Sequence, residues 1–317
     1  MILYLLLVVV GFACLIYGAN WLVDGASALA KKHKMSDLAI GLTIVAFGTS
    51  APELVVNVVA SVNGYSDLIL GNIIGSNNFN TFIILGLSGI IMPIAVQSST
   101  ARKEIPISLF VAVLLLFFLN DFDFSGPGLL SRWEAAVLLV LFLLFMYYVF
   151  NQMKRDSTLH TDVVVKSTVK IWGLILIGLS GLIVGGQLVV MNSVSIANTL
   201  GVSEKIIGLT IVAAGTSLPE LVTSVVAAFK KNSDIAIGNI IGSNVFNILL
   251  VLGISSLIRP ITYNPKFNMD LYILLGGTVF LLASMIVGKR KRLDRWEAAI
   301  LFGAYFSYTV WLVMQEL

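Results

Sequence analysis

Glu53 and Glu220 each stand inside an otherwise apolar stretch, preceded by proline, in the matching segments GTSAPELV and GTSLPELV. No Lys or Arg sits at similar depth in either stretch. A carboxylate placed so must take up a proton or meet a cation, and two brought together repel each other and strengthen that demand. Thr49 and Glu53 are four residues apart, as are Thr216 and Glu220, the spacing that shares a helical face. Pro52 and Pro219 lack an N–H, so the carbonyls of Gly48 and Gly215 lose their helical donors and the helix should kink or break there. In the next stretch Asn72, Ser76 and Asn80 recur at intervals of four, as do Asn239, Ser243 and Asn247, giving polar stripes suited either to ligation or to interhelical hydrogen bonding. Asn77 and Asn244 fall off these stripes and read as packing contacts, and the GxxxG pairs Gly71/Gly75 and Gly238/Gly242 read as close helix packing. Cys14 is the only cysteine, and His33 and His160 fall in predicted loops, so zinc or copper would lack the sulfur and nitrogen they favour. The inventory of carboxylate, hydroxyl, amide and carbonyl oxygen suits calcium, or sodium with its similar radius.

The elements that must hold these residues are membrane helices. Of 317 residues 58% are hydrophobic and 12% charged, with a mean hydropathy of +0.96. Ten apolar runs follow one another, near 2–30, 38–62, 68–92, 104–120, 132–150, 169–197, 205–229, 235–258, 269–288 and 296–315. As helices most are long enough to cross a hydrocarbon core of about 30 Å. The first run lacks a basic leader and exceeds the length of a signal-peptide core, so it is expected to be retained. Of the 20 basic residues, 16 fall in the connections after runs one, three, five, seven and nine, which leaves 4 for the other face. Basic loops stay cytoplasmic, so both termini are expected outside in a multi-pass cell-membrane protein. These clusters read as topology signals, with no nucleic acid as partner.

Residues 41–88 align with 208–255 at a constant offset of 167 with 30 of 48 positions identical, and GNIIGSNNFN answers GNIIGSNVFN. A weaker echo pairs Arg132-Trp133-Glu134 with Arg295-Trp296-Glu297. Five runs per copy is an odd number, so the second copy must lie upside down relative to the first. The expected fold is an all-α integral membrane protein of ten transmembrane helices in two inverted five-helix repeats. The first repeat is 1–150, the cytoplasmic linker 151–168 and the second repeat 169–317. Inverted repeats place a transported ion near the midplane, where the halves meet.

The paired GTSxPE and GNIIGSNxFN segments resemble the two alpha repeats of the sodium/calcium exchanger family, within the cation/calcium antiporter superfamily, and the resemblance covers essentially the whole chain. It implies Glu53 and Glu220 as calcium-binding carboxylates, with the backbone carbonyls of Thr49 and Thr216. For sodium it implies the carbonyls of Ala46 and Ala213, the hydroxyls of Ser50, Ser76, Ser217 and Ser243, and the amides of Asn80 and Asn247. Some family members carry Asp at the position of Asn247, potassium-dependent ones among them, so Asn argues against potassium dependence. The long glycine-bearing runs one and six, with Gly18, Gly25, Gly185 and Gly186, resemble the family's sliding helices. The lack of a long cytoplasmic insertion points to a minimal, prokaryotic exchanger.

The implied activity is secondary active exchange of sodium for calcium by alternating access. The chain would be no enzyme and would carry no cofactor, calcium and sodium being transported ions. An empty site would have to carry two negative charges through an apolar barrier, which favours exchange over leak. A calcium/proton antiporter is the nearest alternative, since protons neutralise the same carboxylates. A passive cation channel follows, and an intramembrane protease is the least consistent, because the chain has no HExxH motif.

Overall fold

Proline, glycine and short polar turns divide the apolar sequence into helices. A computed structural model describes residues 1–95, 100, 102–120, 128–155, 167–200, 213–287 and 292–316. The helices are α1 (Ile2–His33), α2 (Asp37–Thr49), α3 (Ala51–Asn63), α4 (Ser66–Ile91), α5 (Glu104–Leu119) and α6 (Arg132–Arg155), then α7 (Thr168–Thr199), α8 (Leu218–Phe229), α9 (Ser233–Ile258), α10 (Asn268–Val287) and α11 (Arg295–Glu316). Each of the ten apolar runs contains helix, run seven being described only from Ala213 onward. Among the described residues six helices are long and apolar enough to cross a membrane, or seven if the bent pair α2–α3 is one span; α5 and α8 are shorter apolar helices.

His33, expected in a loop, is instead the last residue of α1, because the helix continues to Lys34, whose left-handed backbone (φ 53°) closes it. His160 lies outside the described residues, as does most of the expected linker, although α6 continues to Arg155 and α7 begins at Thr168. The Arg-Trp-Glu echo marks two helix starts. Glu134 accepts from the Ser131 N–H at 2.8 Å, and Glu297 accepts from the Asp294 N–H at 2.8 Å. These are the reciprocal caps of a capping box, complete in the first case through Glu134 N–H to Ser131 Oγ at 3.3 Å.

The centre and the rim of the bundle differ sharply. α9 is almost wholly buried, whereas most of α1 is not. On α1 Leu5, Leu6, Val9, Phe12 and Ile16 face outward, as lipid-facing side chains of a multi-pass membrane protein do. α1 and α7 cross closely because both carry glycine at the contact. A Cβ on Gly178 would come to 2.7 Å from the Leu22 nitrogen, and one on Gly18 to 2.8 Å from the Gly178 carbonyl oxygen. α2 lies equally close on α9, where a Cβ on Gly238 would meet the Leu38 carbonyl at 2.8 Å, so the packing reading of Gly238 and Gly242 stands. For Gly71 and Gly75 the described residues show no such contact: a Cβ on Gly71 would come no nearer than 3.8 Å, to Phe267, and one on Gly75 would meet nothing within 4 Å.

Two short strand pairs tie residues from opposite halves. β1 (Ile94–Ala95) pairs with β4 (Arg292–Leu293), and β2 (Leu129–Leu130) pairs with β3 (Ile261–Thr262), both antiparallel. Two buried bonds related to each other by the 167-residue offset also join the halves. Asn80 donates to Asn244 Oδ1 at 3.0 Å, and Asn247 donates to Asn77 Oδ1 at 3.1 Å.

At one end of the bundle, α1 is fastened to the turn after α8. Lys230 Nζ reaches Asp24 at 2.7 Å and the Asn20 carbonyl at 3.0 Å, while Asn232 donates to Ser27 at 3.1 Å. The positions 167 residues away from Asp24 and Lys230 are Met191 and Asn63. They form no such tie, and the Asn63 amide bonds its own helix at the Val59 carbonyl.

Candidate site between the two Pro-Glu turns

The prolines set the local geometry. α2 ends at Thr49, Ser50 leaves the helix with φ −84° and ψ 3°, and α3 restarts with Pro52 in its first turn, at an angle of 47° to α2. On the other side Ser217 (φ −90°, ψ 7°) precedes α8, again with proline in the first turn. Each glutamate is therefore the third residue of a helix that begins inside the bundle, where the positive end of the helix dipole favours negative charge. Both are 1% exposed.

The two turns face each other and exchange partners. Ser50 and Ser217 occupy cap positions, yet neither side chain caps its own helix. Ser50 Oγ instead donates to Glu220 Oε1 at 3.0 Å. Ser217 Oγ lies 3.5 Å from Glu53 Oε1 and 3.1 Å from Ser76 Oγ. The hydroxyls of Thr49 and Thr216, expected on the face of their own glutamates, reach across as well. Thr49 Oγ1 is 3.0 Å from Asn239 Oδ1, and Thr216 Oγ1 is 3.2 Å from Asn72 Oδ1. The interruption at Ser50 and Ser217 explains this, because a break between positions i and i+4 cancels the shared helical face.

Every expected site residue lies on the two broken turns or the helices beside them. Ala46, Thr49, Ser50 and Glu53 surround one break, Ala213, Thr216, Ser217 and Glu220 the other, with Ser76 and Asn80 on α4 and Ser243 and Asn247 on α9. Asn80 and Asn247 fall in π-helical turns, Phe79–Ile84 and Asn247–Leu252, where the widened backbone departs from the strict four-residue register of the stripes. Glu53 Oε2, Glu220 Oε2, Ser243 Oγ, Asn80 Oδ1 and Asn247 Oδ1 are buried without a hydrogen-bond partner. Five such oxygens on the expected ligand set are what a hard cation would satisfy. Among the described residues no group of three or more His, Cys, Asp or Glu is placed to hold a metal, so the charge rests on the two glutamates and the remaining donors are neutral.

Asn77 and Asn244 are more than packing contacts. Their carboxamides hold Asn247 and Asn80, and Asn244 Nδ2 also donates to Thr81 Oγ1 at 2.9 Å. A strict interval of four hid them, because the backbone widens into π-helical turns from Phe79 and from Asn247. Asn57 was also missed. It is fully buried one turn after Glu53 and donates to the Glu53 carbonyl at 2.7 Å. Its signal was an amide in the apolar stretch VVNVV.

A cavity of about 390 Å³ lies between α3, α7 and the Gly215–Pro219 turn, with Pro52, Thr216 and Pro219 in its wall. Helices of membrane-spanning character, two half-helix starts at depth, and a buried carboxylate pair ringed by unsatisfied oxygen define a polytopic cation-handling protein. Similarities to known proteins narrow that class. The sodium/calcium exchanger protein family matches residues 3–151 and 170–314, and the chain belongs to that family. It is 39% identical to the putative antiporter CaxA of Alkalimonas amylolytica, over 95% of this chain and 96% of that one. It is 30% identical to the sodium/calcium exchanger MaX1 of Methanosarcina acetivorans, over 96% and 97%. Among solved structures, the sodium-calcium exchanger NCX_Mj, soaked without sodium or calcium, superposes with a TM-score of 0.84 at 31% identity, over 98% of this chain and 99% of that one. The protein is thus a membrane transporter of the cation/calcium exchange type, with prokaryotic relatives along its full length.

Proposed function

We propose that the protein is a secondary antiporter that exchanges sodium for calcium by alternating access at a site between Glu53 and Glu220. The observation that carries this reading is the exchange of partners across the site, Ser50 with Glu220 and Ser217 with Glu53. Each half supplies the other's first polar contact, so a change in how the halves meet alters both carboxylates together. Calcium cancels both charges, and sodium ions in sufficient number do the same. The empty carrier would move two unpaired charges through a low-dielectric barrier, which couples the two fluxes.

The ligands in this reading are Glu53 and Glu220 with the Thr49 and Thr216 carbonyls for calcium. Sodium adds the Ala46 and Ala213 carbonyls, the hydroxyls of Ser50, Ser76, Ser217 and Ser243, and the Asn80 and Asn247 amides. The architecture is ten helices in two inverted halves, 1–150 and 169–317, joined by a cytoplasmic linker, with both termini outside. Strand pairs and asparagine pairs that repeat at matching positions of the two halves support it. Alternating access fits the different surroundings of the two long helices. α1 is fastened to Lys230 and Asn232, whereas α7 borders the cavity beside Pro52 and Pro219. On the basic-loop orientation, the fastened end is cytoplasmic.

Tracer calcium uptake into proteoliposomes under an imposed sodium gradient tests the reading, and a pH gradient without sodium serves as the rival arm. Uptake that follows the pH gradient and ignores sodium overturns it.

A further inference from the structure

We infer that Asn239, with its counterpart Asn72, is a positioning residue that draws the neighbouring threonine proton away from a helix carbonyl and so leaves that carbonyl free for sodium. The inference rests on the sodium-for-calcium reading above and extends it to two residues outside the ligand set.

The Thr49 hydroxyl has one proton and, besides the Glu220 carboxylate beside it, three acceptors at hydrogen-bond distance: Val45 O at 3.1 Å, Ala46 O at 3.3 Å and Asn239 Oδ1 at 3.0 Å. A threonine in a helix ordinarily gives its proton to the carbonyl three or four residues back. Here the amide competes at the shortest distance. Its orientation is fixed by its other end, where Nδ2 meets the Glu220 carbonyl at 3.3 Å and Ser224 Oγ at 3.0 Å. A carbonyl can only accept, so the nitrogen faces Glu220 and the oxygen faces Thr49. With the proton on Asn239, the Ala46 carbonyl keeps a lone pair beyond the one used by the Ser50 N–H at 3.0 Å. The same amide also ties Thr49 in one half to the Glu220 backbone in the other.

The mirror arrangement is present but weaker. Thr216 Oγ1 donates to Asn72 Oδ1 at 3.2 Å, while Asn72 Nδ2 is buried without a partner. The reason is one residue: Asn57 stands where the second half has Ser224, and its amide already occupies the Glu53 carbonyl at 2.7 Å. Asn57 Oδ1 is left unpartnered in turn. Asn239 is held by three partners and Asn72 by one, so the two substitutions should differ in size.

The experiment uses calcium-for-calcium tracer exchange in proteoliposomes, which needs no counter-ion gradient, with added sodium as inhibitor. In Asn239→Leu the Thr49 proton returns to the helix carbonyls. The half-inhibiting sodium concentration should rise about three- to tenfold, the change one net hydrogen bond corresponds to, while the calcium half-saturation changes by less than about twofold. Adding Thr49→Val to Asn239→Leu removes the competing proton and should bring the sodium value back toward that of the wild type. Asn72→Leu should shift sodium in the same direction by less, and it carries the test if Asn239→Leu does not insert. Equal loss for both ions, or no recovery in the double variant, overturns the inference and leaves only a structural role. A wild type that exchanges calcium but ignores sodium overturns the sodium reading and this inference with it, whereas sodium inhibition unchanged in Asn239→Leu overturns the inference alone.

Discussion

Neutralising one glutamate should separate the two ions by their charge. In Glu53→Gln the shape of the site and one neutral oxygen remain, but one unit of negative charge is lost from a pair that is 1% exposed. Two unit charges about 4 Å apart interact by about 4 kcal/mol at an effective dielectric constant of about 20. A divalent ion loses about twice that, and a monovalent ion loses it once. The relief from no longer burying a carboxylate is the same whichever ion binds, so it cancels from the comparison. The surviving difference of about 4 kcal/mol is about a thousandfold in the ratio of calcium to sodium affinity. Glu220→Gln should behave alike, with some added loss because Ser50 Oγ, 3.0 Å from Glu220 Oε1, would meet a neutral acceptor. Calcium half-saturation in tracer exchange, and the sodium concentration that inhibits it, give the ratio directly. Equal losses for both ions, or calcium uptake retained at wild-type affinity, would refute the reasoning.

Other perturbations follow from the same geometry. Gly178→Leu puts a Cβ 2.7 Å from the Leu22 nitrogen, a contact backbone cannot relieve without separating α1 from α7. Overpacking of this kind costs about 1–3 kcal/mol, so thermal stability in detergent should fall and transport with it; unchanged melting and flux would show that the crossing is loose. Asp24→Asn should weaken the tie to Lys230, a partly exposed pair worth at most about 1 kcal/mol. Accessibility of cysteines introduced beside this tie should then rise by up to about fivefold, and no change would show that the tie does not hold α1 in place. Asn244→Leu strands the Asn80 amide and Thr81 Oγ1, so it should destabilise the protein by about 1–3 kcal/mol, read as a lower melting temperature.

The sequence exposed the core of this arrangement because its signals were chemical and duplicated. Glutamate at depth, proline beside it and an offset of 167 located both turns, whereas the sodium ligands among the expected set came from the family resemblance. What periodicity could not supply was the direction of each side chain after a break. Thr49 and Glu53 share a face only if the helix between them is unbroken, and Ser50 interrupts it, so the threonine's partner is Asn239 rather than its own glutamate. The role of Asn77 and Asn244 was hidden for a related reason, since the π-helical turns beginning at Phe79 and Asn247 shift the register just where the stripe was extrapolated. Asn57 was legible as an amide in an apolar run. Its consequence, an unpartnered Asn72, depends on a packing that one strand of sequence does not display.

The central claim is that sodium takes calcium's place between Glu53 and Glu220, and tracer calcium uptake into proteoliposomes with sodium inside and none outside tests it most directly. Uptake that collapses when the sodium gradient is dissipated, and is lost in Glu53→Gln, is the predicted result; uptake driven by a pH gradient alone, or calcium flux that needs no counter-ion, would contradict it.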